Sequence, residues 1–141
     1  MCLRKIGRFR AAFIREVGPR AALETVLEYV TDGVDALYVS IDIDVVNAAH
    51  APATHTPVFE GLEAADLLEC SRALGLLDNL IGLDLCEVSP LIDSSQRTER
   101  LAASVLTNAM GHRLEDVVGN MMPALSRVFW LPTGGESASA S

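Results

Sequence analysis

The chain has 141 residues, half of them hydrophobic, and carries a formal net charge of −8 at a pI near 4.7. That length fits one domain with enough apolar material for a core, and an aromatic share of only 5% leaves the core to Leu, Val, Ile and Ala. The acidic balance argues against a nucleic-acid partner, because phosphate binding needs clustered Lys and Arg.

Residues 1–18 mix basic and apolar positions with weak periodicity and read as an N-terminal flank. Arg4, Lys5, Arg8, Arg10 and Arg15 make it a basic polar flank rather than a binding arm, since acidic residues dominate afterwards. Pro19 opens a helix whose Leu23, Val26, Leu27 and Val30 follow an i, i+3, i+4, i+7 stripe. Thr31-Asp32-Gly33 stops it with turn chemistry. A strand follows from about Ala36 to Asp44, with Leu37, Val39, Ile41 and Ile43 on one side and Tyr38, Ser40, Asp42 and Asp44 on the other. Residues 45–61 form a long loop with Pro52 and Pro57, and loops of that length in compact domains usually serve a function.

A second helix is expected from about Glu63 to Leu77, with Ala64, Leu67, Leu68, Ser71 and Leu74 inward. Asp78-Asn79 turns the chain into a second buried strand from Leu80 to Val88. After Arg97, the stripe Leu101, Ala102, Val105, Leu106 and Ala109 gives a helix ending at Gly111, with His112 beside its end. Leu114, Val117, Val118, Met121, Leu125 and Val128 give another stripe, and the tail over 131–141 is Gly/Ser/Ala-rich and expected to be disordered. Strand, helix, strand, helix predicts an α/β fold with a parallel sheet.

Cys2, Cys70 and Cys86 are odd in number and lack a C-x-x-C pair, which fits neither a disulfide framework nor a zinc knuckle. No apolar run reaches the about 18 residues of a membrane helix, and the N-terminus lacks an apolar signal core. A cytoplasmic protein without a membrane partner is expected.

The chemistry concentrates at the end of the first strand. Residues i and i+2 of a strand lie about 6.5–7 Å apart on one face, so Asp42 and Asp44 are expected to reach one cation or two adjacent ones. Open α/β sheets collect ligands beyond the carboxyl ends of their strands, and a divalent ion relieves the repulsion of paired carboxylates. On these residues alone, a solvated strand end is an equal reading. An EF-hand is not, because Val46 stands at its fifth position and no glutamate closes the loop.

The longer segment decides between them. Ser40, Asp42, Asp44, Ala48, Pro52, Ala53, Gly61 and Leu62 resemble the S-x-D-x-D metal-site signature of the arginase/agmatinase (ureohydrolase) family. Gly82-Leu-Asp-Leu-Cys-Glu-Val-Ser-Pro90, with Asp93 and Arg97-Thr98, resembles the family's later strand and the helix start after it. The resemblance runs from about residue 20 to 110 and matches the C-terminal portion of a typical member; residues 19–130 are read as that part of the domain.

The resemblance implies part of a three-layer α/β/α sandwich around a mostly parallel sheet, with the N-terminal half of the fold missing. It implies two manganese ions at the carboxyl ends of the strands, sharing a hydroxide that attacks a guanidinium or amidine carbon. Asp42 would bridge both ions and Asp44 would bind one, while Thr56 and Glu87 would orient the substrate. Asp84, at mid-strand, reads as structural. His50 and His55 read as solvated loop histidines rather than ligands, and His55 stands where the family usually carries glycine. Asn47 and Ala48 replace the family's usual aspartate and proline. The family's remaining ligands, a lone histidine and a D-x-H-x-D segment, have no counterpart before Ser40, so no catalytic residue is assigned within the chain and the chain alone is expected to be inactive.

The expected function is agmatinase-like hydrolysis of a small guanidino or amidine compound, with formimidoylglutamase- or arginase-like activity as alternatives. A reading from another class is a non-catalytic module that pairs with a full-length homologue through exposed strands. A homo-oligomer or association with a complementary chain is expected in either case.

Overall fold

Glycine and proline set the first boundaries. In the computed structural model, which describes residues 7–111, Gly18 at φ 87° ends a seven-residue helix, α1 (Ala11–Val17). Pro19 then opens α2 (Pro19–Thr31), where its missing N–H costs nothing. The flank's weak periodicity did not predict α1. Ring contacts explain how this region seats on α2: Phe9 lies 5.7 Å from Phe13 and 6.1 Å from Tyr29, centroid to centroid. Arg4, Lys5, Cys2, His112, the stripe from Leu114 to Val128 and the tail lie outside the described residues.

After Gly33, at φ 71°, the chain enters β1 (Leu37–Asp42). A short 3₁₀ turn, Ile43–Val45, follows. The loop then leads to α3 (Ala64–Gly75) and β2 (Leu80–Cys86), and a further helix, α4, occupies 97–111. A reciprocal capping box starts α3, with the Glu63 side chain accepting from the backbone N–H of Asp66 and the Asp66 carboxylate from the N–H of Glu63.

β1 and β2 pair in parallel, with Val39 opposite Leu83, Ile41 opposite Leu85 and Asp42 opposite Cys86. The register skips Ile81, which stands 72% exposed. Ile41 and Ile43 form one cluster with Val46, Ala51, Leu67, Leu74, Leu101 and Val105, against which Leu23, Leu27, Val39, Leu83 and Leu85 pack. The three longer helices thus cover one face of the sheet. On the opposite face Tyr38, Ser40 and Asp42 are exposed, and the Tyr38 ring lies so close over Gly82 that a Cβ there would sit 2.8 Å from it. β1 is therefore apolar on one face only among the described residues, as its alternation implies.

The first strand stops two residues short of its expected end. Asp42 accepts a hydrogen bond from the Asp44 amide at 2.9 Å and caps the 3₁₀ turn, so Asp44 leaves the strand's alternation. Ile43 still becomes fully buried, because the turn drives it into the same core. Beyond the turn, the loop is held by its own backbone: Leu62 N donates to Val45 O at 2.8 Å, Asn47 N to Leu62 O at 2.9 Å and Ala48 N to Val58 O at 2.7 Å. Gly61 permits this closure. A Cβ there would sit 2.5 Å from Asn47 N and Val46 C.

Gly61→Ala must push the two loop strands apart. A loss of about 1–3 kcal/mol in urea unfolding is expected, the usual cost of forcing atoms into a packed site; unchanged stability would show that the loop closure is loose.

Candidate functional site

The candidate residues gather where β1 and β2 end side by side. Asp42 is exposed at the end of β1, with its Oδ1 engaged by the Asp44 amide. Asp44 is half-buried, and its Oδ1 accepts a short hydrogen bond from the Thr54 hydroxyl. One oxygen of each carboxylate is thereby fixed, and the other makes no hydrogen bond among the described residues. A cavity of 580 Å³ opens beside them under α1, with Asp42, Asp44, Glu60 and Arg15 as its charged lining. Arg15 pairs with Glu60 at 3.5 Å across exposed surface.

Thr54 was not singled out from the sequence. Its neighbour Thr56 was, yet Thr54 is the buried one at 3% exposure and the one that touches a carboxylate. Alternation of two threonines gives no clue to which faces inward. The Thr56 amide in turn donates to Thr54 Oγ1 at 3.5 Å.

The second sequence block holds the first in place. Thr98, fully buried at the start of α4, accepts from Ala53 N at 2.8 Å. Arg97 donates from Nη1 to Ala49 O at 3.1 Å and from Nε to Ser95 Oγ at 3.0 Å. Asp93 accepts from the Ser95 hydroxyl and from the Ser95 amide, and these bonds, with Arg97 nearby, hold its carboxyl below the ordinary range. The strand-end and loop motifs are thus one packed unit.

Glu87 follows the last residue of β2 and is exposed, with a left-handed φ of 63°. For a residue with a Cβ that conformation costs roughly 1–2 kcal/mol, so the surrounding contacts must enforce it. They are visible two residues on: Ser89 N donates to Ala53 O at 2.8 Å, and Ser89 Oγ meets His55 Nε2 at 3.1 Å. The segments carrying Thr56 and Glu87 are therefore tied together. Neither the Thr56 hydroxyl nor the Glu87 carboxylate hydrogen-bonds to another described residue, so both are available to a ligand.

Neither loop histidine is simply solvated. His50 Nε2 meets Glu63 at 2.7 Å, joining the loop to the start of α3, and His55 meets Ser89. No group of three or more His, Cys, Asp and Glu side chains among the described residues is placed to hold a metal ion. Hard carboxylate oxygens suit manganese, which takes six or so oxygen and nitrogen ligands (about six). Asp42 and Asp44 fit the carboxylate share of such a site and do not complete it.

On the open face of the sheet, Asp84 accepts from the Tyr38 hydroxyl at 2.5 Å and from the Ser40 hydroxyl at 2.7 Å. The Tyr38 bond, followed by that from Ser40, holds the Asp84 carboxyl below its ordinary value, and the same Tyr38–Asp84 bond pushes the Tyr38 phenol up. Asp84 is thus occupied in bracing the strands, as its mid-strand place suggested.

A sequence model described as the Arginase family matches residues 3–111. The chain is 34% identical over 97 residues to the formimidoylglutamase of Bacillus subtilis, covering 69% of this chain and 30% of that protein. It is 36% identical over 95 residues to an agmatinase of Chromobacterium violaceum, covering 67% of this chain and 29% of that one. The crystal structure of the B. subtilis formimidoylglutamase superposes with a TM-score of 0.67 over 70% of this chain and 30% of the other. That of a hypothetical agmatinase from Burkholderia thailandensis, 38% identical, superposes with a TM-score of 0.64 over 78% of this chain and 34% of the other. The chain spans about a third or less of the length of these proteins.

Because Asp84 is depressed in the folded state, its contribution to stability is present above its unfolded pKa and is lost as pH falls through the folded value. Tyr38→Phe is expected to move the Asp84 titration, followed by carboxyl NMR shifts, upward toward the ordinary range. An unmoved titration would mean that the Tyr38 bond does not persist in solution.

Proposed function

The chain belongs to the arginase family, and from that premise we propose that it carries the carboxylate and substrate-holding part of a ureohydrolase site. The compound hydrolysed is a small linear guanidine or amidine, with agmatine first and formimidoylglutamate or arginine as alternatives. The observation that supports this best is the pairing of the Asp42–Asp44–Thr54 cluster with the tied Thr56 and Glu87 segments at the adjacent ends of β1 and β2.

Each residue has a role that its surroundings favour. Thr54 and the Asp44 amide fix one oxygen of each aspartate, and the other oxygen of each would be the one to hold a cation. Glu87 offers an unpaired carboxylate to the N–H donors of a guanidinium or amidine, an arrangement that gains strength from charge and from paired hydrogen bonds. Thr56 offers a hydroxyl near the same group. Manganese is the cation this family membership suggests, with its remaining ligands supplied from beyond residues 7–111. The described chain is inactive by itself on this reading.

One observation favours a second reading. Among the described residues each strand has an unpaired edge, and the face bearing Tyr38, Ser40 and Asp84 is uncovered. Such edges pair readily with another chain, so a non-catalytic module that docks on a homologue is the competing function.

The two readings separate in a complementation assay. The chain is mixed, in manganese, with the N-terminal two-thirds (about 70%) of an agmatinase lacking its own S-x-D-x-D segment, and urea release from agmatine is measured. The catalytic reading predicts release that neither partner gives alone, lowered by a factor of ten or more (about 1.4 kcal/mol) by Glu87→Gln. Stable association without urea release would favour the docking module.

A further inference from the structure

We infer that His55 is a positioning residue that, through Ser89, holds the loop bearing Thr56 against the strand end bearing Glu87. The inference rests on the reading of Thr56 and Glu87 as the substrate-holding pair.

Two hydrogen bonds cross between these segments. One is backbone only, from Ser89 N to Ala53 O at 2.8 Å. The other joins His55 Nε2 to Ser89 Oγ at 3.1 Å and is the only side-chain hydrogen bond between residues 53–56 and 87–89. A single backbone bond lets the loop pivot about it. A second bond, made from the next-but-one residue of the loop, removes that freedom and fixes the approach of Thr56, the residue directly after His55.

The strain on the other side points the same way. Glu87 sits at φ 63°, in a region that a residue with a Cβ does not hold without support. Ser89 is two residues downstream and is gripped at both its amide and its hydroxyl, so the loop anchors the far side of the strained peptide. His55 itself does not occupy the left-handed region; among the described residues only Glu87 and Gln96 do so without being glycine. An imidazole is therefore accommodated at this position without backbone cost. Where the family pattern has glycine, no side chain is present to make the bond, so this clasp is a property of this sequence rather than of the signature.

His55 is exposed and hydrogen-bonds to neither aspartate, so it is not offered as a metal ligand or as a catalytic residue. Its effect is to bring two ligand-contacting groups to a fixed separation before the ligand arrives, which reduces the ordering cost of binding.

The test is agmatine binding to the full chain, followed by NMR titration, for His55→Ala, Ser89→Ala, the double variant, His55→Gln and Glu87→Gln. His55→Ala is expected to weaken binding about fivefold (~1 kcal/mol) with an unchanged thermal midpoint. Ser89→Ala should do the same, the double variant should lose no more than either single one, and His55→Gln, which can still hydrogen-bond to Ser89, should restore binding. Binding by His55→Ala equal to that of the unaltered chain, or losses that multiply in the double variant, would overturn the inference. If Glu87→Gln alone abolishes binding while His55→Ala does not, the substrate-holding reading stands and the clasp falls. If the unaltered chain does not bind agmatine, both fall.

Discussion

The Asp42 carboxylate accepting the Asp44 amide is the contact from which the rest of the site follows. It ends β1, bends the chain into a 3₁₀ turn and brings Asp44 off the strand toward Thr54. A strand that simply continued would have sent the loop away from the sheet. Instead the turn buries Ile43 and Val46, and Ala51, Ala53 and Thr54 follow into the same interior. The loop is therefore part of the core although it contains little regular structure. Its small residues are a packing requirement: Ala53 passes beside Thr98, and Gly61 passes within contact distance of the Val45–Asn47 backbone.

Much of this was legible in the sequence because it depends on periodicity and turn chemistry. The α2 stripe, the α3 stripe behind Glu63, the parallel strands and the helix after Arg97 all follow from apolar spacing bounded by Pro, Gly and Asn. What was not legible depends on which partner a single side chain chooses. Ile41 and Ile43 are both buried, so the pattern reads as unbroken strand whether or not a turn intervenes. In the same way the sequence cannot tell that Thr54 rather than Thr56 faces inward, or that His50 and His55 find Glu63 and Ser89. The helix α1 escaped because a seven-residue segment shows too few repeats of any period, and aromatic contacts decide its place.

The two motif blocks are also mechanically dependent on each other. Arg97 and Thr98 hold the loop that follows Asp44, and Ser89 connects that loop to the residues after β2. The strand-end carboxylates and the segments carrying Thr56 and Glu87 thus belong to one cooperative unit, in which the loosening of either block is felt by the other. The helices stabilise this unit from one face of the sheet. The other face presents Tyr38, Ser40 and Asp84 already bonded to one another, a polar surface that neither needs nor excludes a covering layer.

The measurement that bears most directly on the account is a calorimetric manganese titration of the chain, repeated with Asp42→Asn and with Asp84→Asn. The account predicts weak binding, with a Kd above about 10 µM (near −7 kcal/mol), since two carboxylates supply only part of a coordination sphere. That binding should disappear in Asp42→Asn and persist in Asp84→Asn. Manganese binding that survives Asp42→Asn would contradict the account, because the cation would then be held by something other than the strand-end pair.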